Sequence, residues 1–509
     1  MADAALRLIT LAEELLGTRF PVRIRAWDGS EAGPPDGPVL VVRHRQALRR
    51  LLWRPGELGL ARAWVAGDIE VDGDLYTVLD RLTGILWDRD QPPRPEPALE
   101  REAERGSERG GQRLPGPPPP TSAQPGTSAR SPGQEQPVRR SRPQKGSGRR
   151  LAHEAWRKAV TESRLRFLLD PAQRSAASTL VRIGGALPPP PPPAEEARNR
   201  RGSLHTRRRD KRAISHHYDV GNPFYELVLG PSMVYSCAYW PNGTTDAGGA
   251  EQSLDDAQRD KLDLVCRKLD LRPGERLLDV GCGWGSMAMH AAREYGVHVI
   301  GVTLSREQAN YARKRIADAG LTDRIEIRVQ DYRDVSEGPY DAISSIGMAE
   351  HVGAARYREY TDQLYALLRP GGRLLNHQIA RRPERDESAY RLDAFIDRYV
   401  FPDGELLPLG RTTTALEEAG FEVRDVESIR EHYALTLRRW VDNLETHWES
   451  AARLTSPGRA RVWRLYMAAS ALAFERNRIG VNQILAVKTH PDGASDVPLR
   501  TRTWHTDRD

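Results

Sequence analysis

Residues 277–292 read LLDVGCGWGSMAMHAA. An apolar run with the look of a strand ends near Asp279, then Gly281, Gly283 and Gly285 recur at every second position, and a helix pattern begins at once. In a parallel sheet such a strand-to-helix turn cradles a nucleotide-like ligand, because glycines let the backbone approach it and the helix start offers free amides. A dinucleotide fingerprint would place glycine or alanine where this chain has Ser286, and an acid after the second strand, where it has GVTLSREQ (301–308). A dehydrogenase is disfavoured on both counts. Trp284, inside the turn, reads equally as packing under the sheet or as lining the cleft.

Outward from the turn, apolar runs VHVIGV, DAISSIG and RLLNHQIA alternate with helix patterns such as REQANYARKRIADAG and RYREYTDQLYALL. Buried parallel strands joined by crossover helices follow, hence an α/β fold with a doubly wound, mostly parallel sheet over 214–490, trailed by a C-terminal tail, 491–509. FEVRDVESI and NQILAVK read as further strands on either side of a long helical stretch. Residues 1–92 mix short strand and helix patterns (PVRIRAW, GPVLVVRH, RQALRRLLW, LYTVLDRLTGIL), as a small α+β N-terminal domain does, without a catalytic constellation.

The 37 prolines concentrate between these two parts. Residues 93–150, rich in Pro, Gly, Ser and Arg, have too few apolar anchors to order themselves and read as a disordered linker. A helical pattern returns over 151–185, followed by a Pro- and Arg-rich linker, 186–213, whose proline run should form stiff polyproline. The arginine-rich run 206–212 lacks the interleaved aromatics of a base-stacking surface, so it reads as a solvated tether that touches phosphates, with an anionic membrane as their source, and no specific nucleic-acid partner is expected. A net charge of +6 agrees with an anionic partner. Three cysteines without a CxxC pair suggest neither a disulfide framework nor a zinc site, and point to a reducing, cytoplasmic setting. ALRLITLAEELLG carries acids in its apolar pattern and no basic lead, so it is not read as a signal peptide, and no apolar run is long enough to span a membrane.

An ordered set of motifs narrows the reading: HHYDVGNPFYELVLGPSMVYSCAYW (216–240), LLDVGCGWG, GVTLSREQANYA, QDYRDV, SIGMAEHVG, the HQI of RLLNHQIA, FIDRYVFPDGELLP and HYALTLRRW. The set resembles the cyclopropane-fatty-acyl-phospholipid synthases, which are class I S-adenosylmethionine methyltransferases with a Rossmann-like sheet. The likeness covers nearly all of 214–485, and ARAWVAGDIEVDGDLYTVLDRL (61–82) resembles the N-terminal domain of the longer bacterial members. It implies that Tyr235, Ser236, Asp279, Gly281, Gly283, Gly285, the Thr303 to Gln308 stretch, Asp331 and Tyr332 hold S-adenosylmethionine. It implies also that Cys237, Glu350, His377 and Tyr433 gather around a bicarbonate ion that serves as the active-site base, with no metal. Two positions depart from the family pattern, Ala349 where an aromatic is common and Asn376 where an apolar residue is usual, and both bear on acyl-chain preference more than on chemistry.

The implied substrate is the unsaturated acyl chain of a phospholipid at the inner face of the membrane, with the protein peripherally associated there and dimeric. Methylation without ring closure, which would call for a separate reductase, and methylation of a small soluble acceptor are the rival reactions; a non-enzymatic binding protein is the rival class. Taken singly, Cys237 reads as a small buried hydrophobe, His377 as a satisfied core histidine, Glu350 as a helix cap and Tyr433 as packing. Their occurrence together, in motif order, favours the site.

Overall fold

The computed structural model describes residues 3–54, 56–89, 178, 181, 185, 188–197, 206–207, 220–245, 249–387, 390, 393–499 and 502. The expected linker 93–150, nearly all of the helical segment 151–185, most of the arginine run and the HHYD opening of the first motif lie outside these residues.

The N-terminal part begins with helix α1 (Ala4–Leu16), stopped by Gly17 in the left-handed conformation. Strands β1 (Arg23–Arg25), β2 (Glu31–Ala32) and β3 (Val39–Val42), helices α2 (Gln46–Trp53) and α3 (Glu57–Val65), strand β4 (Ile69–Asp72) and helix α4 (Leu75–Arg89) follow. The strands form one sheet in the order β2-β1-β3-β4.

The larger part opens with α5 (Asn222–Leu229) and α6 (Leu254–Leu269). Ser253 caps α6 by accepting from the Asp256 amide at 3.1 Å, and acids in its first turn with bases in its last complement the helix dipole. Then come β5 (Arg276–Val280), α7 (Ser286–Tyr295), β6 (His298–Thr303), α8 (Arg306–Asp318), β7 (Ile325–Val329), β8 (Tyr340–Ile346), α9 (Tyr357–Leu367) and β9 (Leu368–Arg381). The chain ends with β10 (Leu407–Pro408), α10 (Leu409–Glu418), β11 (Glu422–Ser428), α11 (Arg430–Thr446), α12 (Trp448–Leu454), α13 (Pro457–Glu475) and β12 (Ile479–Val487).

Strand order is β11-β12-β9-β8-β5-β6-β7, with β10 added beside β9. Neighbours from β7 through β9 are parallel, whereas β12 runs antiparallel to both β9 and β11. The chain winds from β5 outward through β6 and β7, then returns to place β8 on the other side of β5. That reversal opens a crevice beyond the carboxyl end of β5, where the glycine turn lies.

One stretch departs from its sequence reading. Within the expected linker 186–213, residues 188–197 are held against both folded parts. Prolines lack an amide but keep a carbonyl, and Pro191 O accepts from Arg50 Nη1 at 2.8 Å. Glu196 takes two hydrogen bonds of 2.7 Å from Arg62 of α3 and one of 3.0 Å from the Tyr399 hydroxyl. The Ala197 amide donates to Arg398 O, and Ser456, the cap of α13, donates to Glu195. Trp64 of α3 donates to Arg461 O of α13 at 2.8 Å, so the strap and a direct contact together seat α3 on α13.

Candidate active site

The cleft beyond β5 is lined by Tyr235, Ser236, Asp279, Gly281, Gly283, Thr303, Gln308, Asp331 and Tyr332. Nine of the ten positions expected to hold the cofactor thus face one space. The tenth, Gly285, does not line it: a Cβ there would meet Ala312 Cβ of α8 at 3.1 Å, so this glycine serves helix packing. Gly283 is the reverse case, since a Cβ built on it meets nothing within 4 Å and would project into open space. Its φ of +54° is left-handed, a conformation glycine adopts at no steric cost. Trp284 answers both of its readings: it lines the cleft, is buried, and donates from Nε1 to Asn222 Oδ1 at 2.8 Å.

Each end of the cleft has its own chemistry. At one end Asp279, 2% exposed, accepts from Ser344 through Oδ1, while Oδ2 has no partner among the described residues. Burial pushes its pKa up to about 6. Beside it Lys261 is 1% exposed and donates to Ser236 Oγ at 3.0 Å, with burial lowering its pKa to about 8. A buried acceptor and a buried cation with no ion-pair partner among the described residues fit the zwitterionic end of an amino-acid-bearing ligand. Toward the other end Thr303 donates to Gln308 Oε1 at 3.0 Å, which leaves the Gln308 amide NH₂ free to donate to ligand hydroxyls. Burial raises the pKa of Asp331, but the hydrogen bonds from Arg333 outweigh it and hold the carboxyl below its ordinary value.

The other four candidate residues do not line this cleft; they surround the middle of β9 and β12. Glu350, in a short helical turn after β8, accepts from the Ile379 amide at 2.7 Å through Oε1, while Oε2 is buried with no partner among the described residues. Burial pushes its pKa up to about 7. His377, two residues before Ile379 and on the same face of β9, is 2% exposed. Val481 pairs with Ile379, and its carbonyl accepts from the Ile429 amide; Ile429 O in turn accepts from Cys237 Sγ at 3.6 Å. Burial pushes the Cys237 thiol up, so it is no thiolate at neutral pH. Tyr433, in the first turn of α11, packs on Phe474 and edge-on against Trp440, with centroids 4.7 and 6.0 Å away. Glu350 Oε2 and, on neighbouring β9, the Nε2 nitrogen of buried His377 have no hydrogen-bond partner among the described residues, which suits a small oxyanion that carries a hydroxyl.

Asn376 lies on the opposite face of β9, in a buried network with Tyr360 and Gln378, so its departure from the family pattern falls in the core and not beside His377. Sequence reading overlooked Lys261, Lys268 and Gln483. A signal existed: both lysines fall on the apolar stripe of α6 with Ala257, Leu264 and Val265, and Gln483 interrupts the run VNQILAV.

Comparison with known proteins gives the family. Residues 205–484 match the model of the mycolic acid cyclopropane synthetase family. A probable fatty acid methyltransferase of Mycobacterium tuberculosis is 40% identical over 98% of this chain and 99% of its own length. The cyclopropane-fatty-acyl-phospholipid synthase of Escherichia coli is 36% identical over 53% of this chain and 66% of that protein. Among solved structures, the cyclopropane synthase MmaA2 from M. tuberculosis superposes with a TM-score of 0.51 at 30% identity, covering 56% of this chain and 99% of that one. The mycolic acid cyclopropane synthase CmaA1, complexed with SAH and CTAB, gives 0.50 at 32% identity over 54% of this chain and 97% of that one. The chain belongs to the mycolic acid cyclopropane synthetase family and is an S-adenosylmethionine-dependent methyltransferase of the cyclopropane-synthase type.

Proposed function

We propose that the protein adds a one-carbon unit to the cis double bond of unsaturated acyl chains in membrane phospholipids and closes a cyclopropane ring. When bound, S-adenosylmethionine supplies an electrophilic methyl group, and bicarbonate supplies a base. The observation that carries this reading is the pair Glu350 and His377, two buried residues each with a polar atom that has no partner among the described residues. Such atoms suit a small anion that carries a hydroxyl, and the aromatic cluster of Tyr433, Trp440 and Phe474 suits an apolar acyl chain.

The roles of the chain's own residues follow from their placement. Gly283 leaves room at the turn, Asp279 with Lys261 and Ser236 binds the amino-acid end of the cofactor, and Thr303 with Gln308 orients its sugar. Fixing the reacting groups in this way supplies much of a rate enhancement. The aromatic shell excludes water, and the face of Tyr433 stabilises positive charge developing on the acyl chain by about 2 kcal/mol. Glu350 orients the small anion, with His377 and the Tyr433 hydroxyl as donors.

The net charge of +6 supports a peripheral site of action on an anionic, cytoplasm-facing membrane. No helix among the described residues is long and apolar enough to cross a membrane. The relative that spans nearly the whole chain is named a fatty acid methyltransferase, which favours keeping a second reading, methylation without ring closure followed by a separate reductase. Incubation with methyl-labelled S-adenosylmethionine and vesicles of unsaturated phospholipid, then NMR of the product, tests both. Ring protons support the first reading, a methylene branch the second, and label only on soluble acceptors refutes each.

A further inference from the structure

Lys268 and Gln483 stand outside the cofactor cleft, yet both are fully buried polar side chains. The Lys268 ammonium donates to Glu427 and, at 2.8 Å, to Gln483 Oε1. An ammonium can only donate, so the end of the Gln483 amide that faces it must be the oxygen. The NH₂ end is then fixed toward His377 Nδ1, 3.4 Å away, across a pairing in which residues 483 and 377 are directly opposite. An NH₂ group donates, so Nδ1 must accept. Burial first, then the charges of Lys261 and Lys268, pushes the His377 pKa well below its ordinary value, so the ring is neutral and has one proton to place. Nε2 is the nitrogen left for it, and it has no hydrogen-bond partner among the described residues.

We infer that Lys268 and Gln483 are positioning residues that lock His377 as the Nε2–H tautomer, making it a hydrogen-bond donor to a small oxyanion and not a proton acceptor. The inference rests on the oxyanion reading proposed above and sharpens it. A histidine that works as a base has the opposite arrangement: an acceptor fixes the proton on Nδ1 and leaves Nε2 bare. Here a cation, relayed through an amide, reverses that polarity.

The test is the tautomer itself, read from long-range ¹H–¹⁵N correlations of the ¹⁵N-labelled full chain at neutral pH. With 13 histidines in the sequence, His377 is assigned by the signal missing from a His377→Gln variant. The expected pattern is a protonated Nε2 and a bare Nδ1; a protonated Nδ1 in the wild-type protein overturns the inference. In Gln483→Glu a carboxylate accepts at both ends, so the proton should appear on Nδ1, and a spectrum unchanged from wild type in a cooperatively melting variant also overturns it. Titration with ¹³C-bicarbonate separates this inference from the reading beneath it. A wild-type Nε2–H signal that shifts on titration, with affinity roughly ten-fold weaker in Gln483→Leu, supports both. A locked tautomer that ignores bicarbonate keeps the lock and refutes the oxyanion reading.

Discussion

Glu350→Gln keeps shape while removing a charge, and the structure predicts opposite effects on stability and on turnover. The carboxyl is buried, one oxygen accepts from the Ile379 amide at 2.7 Å, the other has no partner among the described residues, and burial pushes the pKa up to about 7. A pKa raised on folding means that the native state holds more protons than the unfolded state between the unfolded value and about 7, so stability falls as pH rises through that window. At 1.36 kcal/mol per unit, the full penalty above the folded pKa is about 3 kcal/mol. The glutamine never ionises. Whatever constant offset its NH₂ introduces, the stability gap between variant and wild type should therefore move in the variant's favour by roughly 2–3 kcal/mol between pH 5 and pH 8. Urea unfolding of both proteins across that range measures it, and a gap independent of pH refutes the buried, unpaired carboxyl. Turnover on phospholipid vesicles should fall by about 10²–10⁴-fold, the usual worth of positioned acid–base assistance, with the cofactor dissociation constant unchanged. Near-normal turnover would leave Glu350 a structural residue and remove the centre of the proposed site.

Three further outcomes are expected. Gly283→Val should abolish S-adenosylmethionine binding by calorimetry while the protein still melts cooperatively, because the side chain enters the open space of the cleft; retained micromolar affinity would put the ligand elsewhere. Lys261→Met should raise the stability of the ligand-free protein at neutral pH, since the folded pKa is lowered to about 8 and the charge is a cost wherever it is present, yet weaken cofactor binding roughly ten-fold or more. A variant that is both less stable and unimpaired in binding would show that the ammonium serves the fold. Arg62→Met strands the buried Glu196 carboxylate with only the Tyr399 hydroxyl and should cost roughly 2–4 kcal/mol in urea unfolding, whereas a change near zero would mean that the strap is not held by this pair.

What the sequence made legible and what it hid divide along a physical line. Periodicity and glycine spacing report how a backbone must run, and from them the mostly parallel sheet, the turn at Gly281 and Gly283 and the strands β5, β6, β8 and β9 could be read. Neither reports the partner of a charge. Glu195 and Glu196 follow a proline run and look like solvated acids, but Ser456, Arg62 and Tyr399, all distant in sequence, hold them and turn part of a linker into a strap. Gly285 repeats the spacing of the turn, yet its neighbour is Ala312 of α8, a fact of helix packing. Lys268 and Gln483 carry no motif at all; their meaning comes from facing each other and His377 across β9 and β12, where one ammonium settles the direction of every hydrogen bond in the row. The same asymmetry explains why the motif residues separate into two groups in space. Those on the β5 and β6 turns share the cleft because local chain geometry puts them there, while Cys237 comes near β9 through long-range pairing: β12, antiparallel beside β9, offers the Val481 carbonyl to the Ile429 amide, and Ile429 O accepts from Cys237 Sγ.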